Sequence, residues 1–318
     1  MYLPAILCLN DIGIKNAGRR CTMELRVLQY FLAVAREQSI SGAAQALHLS
    51  QPTLSTQIKA LEKELGKQLL IRGTPGSRKV TLTEEGMILR KRAEEILALV
   101  KRTEHDVALA EQTIAGDVYI GAGETDGIRL LTRVAQTVQD QYPDIHFHIS
   151  SGDGTDVLED LDKGLIDFGL LLQPVDITKY EMLELPVRES WGVLMRRDSP
   201  LAQKASISPE DLLNLPLIIS RQAFSSSLLS SWLKRDLSKL NVAATYSLLY
   251  NGSLMVEEGM GYALCLNHII NTSGESPLCF RPFSPSLTVR VYLVWKKYQI
   301  FSKASEKYLS TLRAHLNL

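Results

Sequence analysis

At 318 residues, with 45% hydrophobic and 22% charged side chains, the chain has material for about two globular domains and is too apolar to be disordered throughout. No stretch approaches the roughly 18 consecutive apolar residues that cross a bilayer, and the apolar start Met1–Leu9 lacks a signal peptide's basic leader and cleavage site, so a cytoplasmic protein without membrane contact is expected. The zero net charge conceals an asymmetry: residues 23–81 hold eight basic and four acidic side chains, residues 1–22 add a further excess of two, and the rest is acidic, as suits a nucleic-acid-binding head on a different body.

Residues 1–22 show no periodicity and read as a disordered extension ahead of an abrupt start at Met23. Leu25, Leu28, Phe31, Leu32 and Ala35 then recur at helical spacing and make one apolar face. Ser39-Ile40-Ser41-Gly42 breaks that helix and supplies the cap of a second, which ends near Leu47 at a tight turn, His48-Leu49. Ser50 caps a third helix with Pro52 in its first turn, where a missing N–H costs nothing. Leu54, Ile58, Leu61 and Leu65 carry it to a stop at Gly66. Two short helices joined by a brief turn, the second opening on polar residues, form a helix-turn-helix signature. Thr74-Pro75-Gly76-Ser77 separates two extended pieces, Leu69–Arg72 and Arg78–Leu82, which predicts a β-hairpin wing.

After Thr83-Glu84-Glu85 a long helix is expected. Leu89, Ala93, Ile96, Val100, Thr103, Val107, Ala110 and Ile114 alternate spacings of four and three, a heptad seam suited to a two-chain coiled coil. From Val118 the pattern becomes strands alternating with helices: strand Val118–Gly121, helix Ile128–Gln141, strand Ile145–Ser150, helix Val157–Lys163, strand Ile166–Leu172. That alternation predicts a parallel sheet. Later strands are expected at Val193–Met195, Leu217–Ser220, Tyr262–Leu266 and Val289–Trp295, with helices near Leu228–Leu240 and Ala304–His315.

The third helix carries the most telling chemistry. Gln51, Thr53, Ser55, Thr56, Gln57 and Lys59 lie opposite its apolar stripe, and with Ser50 and Pro52 they compose a hydroxyl- and amide-rich turn that can meet base edges in a major groove. Arg72, Arg78 and Lys79 of the wing are placed for phosphates or the adjoining minor groove. The four cysteines, Cys8, Cys21, Cys265 and Cys279, have no metal-ligand spacing, and Cys265 reads as a buried thiol in an apolar strand. His146 and His148 share one strand face, which reads as a solvated strand end rather than a metal pair, so neither metal nor cofactor is expected.

Taken together, these residues resemble the LysR-type transcriptional regulators. The resemblance runs from Met23 to the end and is densest in Ala43-Ala44, Leu47, Ser50-Gln51-Pro52, Leu54-Ser55, Ile58, Leu61-Glu62, Leu65-Gly66, Leu69, Arg72 and Leu82-Thr83-Glu84-Glu85-Gly86. Leu70 replaces a frequent aromatic, and Thr56 stands where Arg or Lys is common. The resemblance implies that Gln51, Pro52, Ser55 and Thr56 approach bases or backbone and that Arg78 takes the wing position. It also implies double-stranded operator DNA, RNA polymerase, a small polar effector and further copies of the chain as partners, as a homodimer through the linker helix and a homotetramer built from it.

The implied architecture is multidomain. A winged helix-turn-helix over 23–82 and a linker helix over 83–115 would precede an α/β effector domain over 116–318, similar in fold to periplasmic solute-binding proteins. Its lobe I would comprise 116–184 and 284–318, and lobe II 185–283. Ligands in such sheets bind beyond the carboxyl ends of strands. Three junctions fit: Gly123-Glu124-Thr125-Asp126, Gly152-Asp153-Gly154-Thr155, and Ser220-Arg221-Gln222-Ala223-Phe224-Ser225, joined by Asn251. Glu124 and Asp126 on one rim and Arg221 on the other point to a polar effector of mixed charge. An enzyme or solute-binding receptor carrying an accessory DNA-binding head is the competing class. The chain has no GxSxG, P-loop or HExxH motif and is expected not to be an enzyme.

Overall fold

The computed structural model describes residues 23–72, 79–108, 114–172, 176, 178–225 and 227–318. The chain divides into two units, Met1–Lys101 and Arg102–Leu318.

In the first unit, α1 (Leu25–Glu37) buries Leu28, Phe31 and Val34 and stops where Gln38 turns left-handed at φ 49°. The Ser39 hydroxyl accepts from Gly42 N–H at 3.1 Å and opens α2 (Ile40–Ala46). His48, at φ 54°, lets Leu49 N–H reach Ala44 O at 2.9 Å, which closes the turn into α3 (Gln51–Leu65). Leu54, Ile58 and Leu61 of α3 lock into the same core as Phe31 and Val34. Each such side chain contributes about 1.5–3 kcal/mol by leaving water. The hairpin follows as β1 (Leu70–Arg72) and β2 (Val80–Leu82), antiparallel with Arg72 opposite Val80. Glu62 ties α3 to it by accepting from Leu69 N–H at 2.9 Å and Leu70 N–H at 3.2 Å. The turn Thr74–Ser77 expected at its tip, and Arg78, lie outside the described residues.

α4 (Glu84–Ala108) begins where Thr83 Oγ1 accepts from Gly86 N–H at 3.0 Å. A Cβ on Gly86 would stand 2.2 Å from Leu69 O, so only glycine permits this approach. The expected heptad seam is partly used within the chain: Leu89 packs on the core of the first unit and Ala93 is fully buried. Met87, Ile88, Leu99 and Val107 are the large apolar side chains of α4 left exposed.

The second unit contains, in chain order, β3 (Gly116–Ala122), α5 (Ile128–Gln141), β4 (Ile145–Ser151), α6 (Gly154–Lys163), β5 (Phe168–Leu171), β6 (Tyr180–Arg196), β7 (Leu217–Ser220), α7 (Arg221–Ser225), α8 (Ser227–Leu233), β8 (Val242–Tyr246), α9 (Leu249–Glu257), β9 (Tyr262–Leu266), β10 (Leu278–Pro282), β11 (Thr288–Lys296) and α10 (Lys303–His315). The strands run in the order β4-β3-β5-β11-β6-β9-β7-β8, with β10 also on β6. β3 is parallel to β4 and β5, and β7 to β8 and β9, whereas β11, β6 and β10 pair antiparallel. The sheet is therefore mixed rather than parallel throughout. Two parallel halves, lobes I and II, meet along antiparallel strands.

β6 serves both halves. It pairs with β11 as far as Ser190 and with β9 from Trp191, so the exchange of partners falls later than the expected boundary at 184/185. Pro186 and Val187 sit at the register shift between Arg290 and Val291, where a missing N–H breaks no ladder bond. Gly192 lets β10 close on β6, since a Cβ there would stand 2.3 Å from Arg281 O. Each lobe has its own core: Ile120, Leu131, Phe168, Leu293 and Tyr308 in lobe I, and Val193, Leu217, Ile219, Leu229 and Leu264 in lobe II.

The helix expected over Leu228–Leu240 is shorter. It stops before Lys234, whose φ of 52° is left-handed, and Asp236 caps a separate turn, Leu237–Lys239. Cys265 and Cys279 are both buried and unbridged, and burial pushes the Cys265 thiol up to about 12. Among the described residues, no helix is long and apolar enough to cross a membrane.

Candidate functional site

Two surfaces carry the residues singled out by sequence, one in each unit. In the first, Ser50 Oγ accepts from Thr53 N–H at 3.2 Å and lies 2.7 Å from Thr53 Oγ1. Burial of Leu54, Ile58 and Leu61 turns Gln51, Pro52, Thr53, Thr56 and Lys59 outward, with Ser55 half-buried among them. Thr56 Oγ1 donates to Pro52 O at 2.9 Å, so its hydroxyl offers a partner only acceptor capacity. The surface thus presents one exposed amide, hydroxyl oxygens and an ammonium at the start of a rigid, locally capped helix. Lys79 is exposed beside β2. Of Arg72 the backbone position in β1 is described; Arg78 lies outside the described residues.

In the second unit the three junctions do follow strand ends: Gly123–Asp126 after β3, Gly152–Thr155 after β4, and Ser220–Ser225 around the end of β7. A cleft of about 730 Å3, counted with its open mouth, lies between the lobes and takes in Gly123, Glu124, Gly152, Asp153 and Gln222 of the expected residues. Ser220 and Ala223 of the third junction line it as well, whereas Thr125, Asp126, Thr155, Arg221 and Asn251 do not. Thr125 turns inward: it is 5% exposed, and its hydroxyl donates to the Glu189 carboxylate, which also accepts from Gly127 N–H at 3.0 Å. A buried carboxylate demands such donors, which fixes the threonine away from the cleft. Asp126 pairs with Arg129 at 2.5 Å and borders a depression with Thr132 and Arg133 that adjoins the cleft through Gly123, Glu124 and Ile269. Thr155 faces another depression with Leu158, Asp162 and Tyr180. Arg221 and Asn251 are exposed and outside the cleft lining, and the side chain of Ser225 is not among those described. The expected mixed-charge rim is accordingly corrected: its arginine and one of its acids do not line the cleft.

Several residues that shape the cleft gave no sign in the sequence. Trp191 of β6, Tyr246 of β8, Leu266 of β9 and Val289 of β11 wall it, together with Leu172 and Leu228. Tyr246 donates to Leu264 O at 2.9 Å, and burial, then the proximity of Cys265 and Glu124, raises its phenol well above the ordinary range, so it stays neutral. Leu248 precedes α9 and has no side chain able to cap it; the Glu124 carboxylate reaches from lobe I and accepts from Leu249 N–H. A second link crosses the cleft where Gly154 N–H donates to Gln222 Oε1 at 3.4 Å. Asp153 caps α6 by accepting from Thr155 N–H at 2.9 Å and Asp156 N–H at 3.1 Å. His148 is engaged by Asp117 at 3.0 Å and stacked on Tyr119, and no group of three or more His, Cys, Asp or Glu among the described residues is arranged to hold a metal ion.

These features have close counterparts in known proteins. The profile of the LysR substrate binding domain matches residues 111–317, and that of the bacterial regulatory helix-turn-helix protein, lysR family, matches residues 25–87. The Hca operon transcriptional activator HcaR of Escherichia coli is 29% identical over 281 residues, 86% of this chain and 92% of its own. The DNA-binding transcriptional dual regulator OxyR of the same organism is 31% identical over 198 residues, 62% of this chain and 63% of its own. The solved structure of full-length CbnR complexed with its target DNA has the same fold, with a TM-score of 0.70 at 19% identity over 92% of this chain and 99% of that one. A helix-turn-helix head and a two-lobed body matched by these two profiles make the chain a member of the LysR family of transcriptional regulators.

Proposed function

We propose that the chain binds operator DNA through the first turn of α3 and adjusts transcription when a small molecule enters the cleft between lobes I and II. The observation that carries this is the start of α3, where an apolar stripe held in the core leaves Gln51, Thr53, Thr56 and Lys59 on a rigid exposed face. Gln51 reads a base edge in the major groove; Ser50, Pro52, Ser55 and Thr56 set the approach to bases and backbone. Lys59, Arg72, Arg78 and Lys79 neutralise phosphates, each contact adding about −0.9 to the slope of log affinity against log salt.

The working form is a homodimer built on α4, whose exposed Met87, Ile88, Leu99 and Val107 favour burial against a second copy, and two dimers join as a tetramer. Two-fold symmetry then spaces half-sites by ~34 Å or multiples of it. The ligand acts by preferring one of two accessible lobe arrangements, which shifts DNA bending and contact with RNA polymerase. The role is binding rather than catalysis, and it is exercised in the cytoplasm.

The test is fluorescence anisotropy of the full chain on duplex from its own upstream region and on random duplex. Gln51→Ala is expected to weaken the upstream site by about 1–3 kcal/mol and random DNA by much less. Equal losses on both would reduce Gln51 to a backbone contact. A protein that stayed monomeric and showed no salt-sensitive binding to either duplex would overturn the reading.

A further inference from the structure

Several helices begin at or near the cleft, and the N-termini of three of them, α5, α6 and α9, are already met by a carboxylate of this chain. The buried Glu189, 2% exposed, accepts from Gly127 N–H at the start of α5. Asp153 caps α6, and Glu124 caps α9 from the opposite lobe. Helix N-termini are ready-made receptors for anions. Here those three are filled from within, while α7 opens on the neutral Ser220 hydroxyl, which accepts from Ala223 N–H at 3.1 Å, so an incoming carboxylate or phosphate faces acidic neighbours at the starts of α6 and α9.

The lining of this cleft, among the described residues, holds no lysine, arginine or histidine, while Glu124 and Asp153 both belong to it; Arg129, Arg133 and His268 border the depression that adjoins it through Gly123, Glu124 and Ile269. Among the described residues, one oxygen of each engages a helix N–H: Oε2 of Glu124 and Oδ1 of Asp153. The remaining walls are apolar and aromatic: Leu172, Trp191, Leu228, Leu266 and Val289.

One polar atom in this wall is unaccounted for. Trp191 is 7% exposed, and its Nε1–H is the one buried side-chain polar group among the described residues that lacks a hydrogen-bond partner. Leaving a buried donor unmade is unfavourable, so an acceptor that reached this nitrogen, closed to solvent as it stands, from the cleft that Trp191 lines would be favoured.

We infer that the cleft takes an organic cation: an ammonium group set against Glu124 and Asp153, an apolar body between the aliphatic walls, and a hydrogen-bond acceptor for the Trp191 indole. This rests on the proposed reading of the cleft as the effector site and narrows the class of effector.

The test uses the full-length protein and isothermal titration calorimetry with three probes of one shape: para-methoxybenzylamine, para-methoxybenzyl alcohol and para-methoxybenzoate. The amine is expected to bind at least about ten-fold tighter than the benzoate, with the alcohol between them. Glu124→Gln should narrow the gap between amine and alcohol. Para-methylbenzylamine, which lacks the acceptor oxygen, should bind about 2–10-fold more weakly than the methoxy amine, a difference that disappears in Trp191→Phe. Benzoate binding as tightly as the amine would overturn the cationic class while leaving the cleft a ligand site. A methoxy preference that survived in Trp191→Phe would overturn the role of the indole. Failure of every probe at millimolar concentration would count against both this inference and the cleft reading beneath it.

Discussion

The starts of α3 and α9 solve one problem in opposite ways. Both must satisfy free N–H groups at a helix end. α3 does so locally, with Ser50 immediately before it, and its exposed polar residues are left for a partner. α9 has Leu248 in the capping position and borrows Glu124 from across the cleft, more than a hundred residues away in sequence. A local cap builds a rigid presenting surface, whereas a borrowed cap makes helix stability depend on whether two lobes are together.

The largest effect that sharpens this contrast concerns the support beneath the local cap. Leu54→Ala should remove about 2–5 kcal/mol from the unfolding free energy of the head, read by urea denaturation followed by circular dichroism, with operator binding falling in parallel. A loss below about 1 kcal/mol would mean that the core of the first unit does not hold α3 in place.

Glu124→Ala should weaken the borrowed cap by about 1–3 kcal/mol, because Leu249 N–H loses its acceptor. Hydrogen exchange read residue by residue should speed up at the first amides of α9 and stay unchanged in α3. Equal acceleration along the whole second unit would break the contrast, since the bond would then serve general stability. The smallest effect is expected for Ser50→Ala, about 0.5–2 kcal/mol and confined to amide exchange in the first turn of α3. No change there would leave Pro52 and the core as sufficient to start the helix.

The same distinction governs what could be read in advance. α1, α2 and α3 were legible because their caps, stops and apolar stripes lie within a few residues of one another, from Ser39 and Ser50 to Gly66. The junctions after β3, β4 and β7 were legible as glycine- and serine-rich breaks after apolar runs. Their orientation was not. Thr125 looked like a ligand hydroxyl, and only the fold brings Glu189 beneath it. The walls of the cleft were missed because Trp191, Tyr246 and Val289 come from strands far apart in sequence and look like ordinary core. Most of β6 was missed as well: Glu181, Glu184, Pro186 and Arg188 hide an extended segment that is recognisable only where both faces are buried, near Val193–Met195. The heptad seam of α4 was over-read at its start, since periodicity alone cannot say whether Leu89 and Ala93 face a second chain or their own.

The continuity of β6 has a mechanical consequence. Lobes tied by flexible linkers can swing apart freely, but here one uninterrupted strand belongs to both, hydrogen-bonded on either side of Ser190. Rotation of one lobe against the other has to be stored as torsion in that strand. The ladder skips a beat only at Pro186, within the stretch paired to β11, so the step from one lobe to the other at Ser190 and Trp191 is made without a break in the strand.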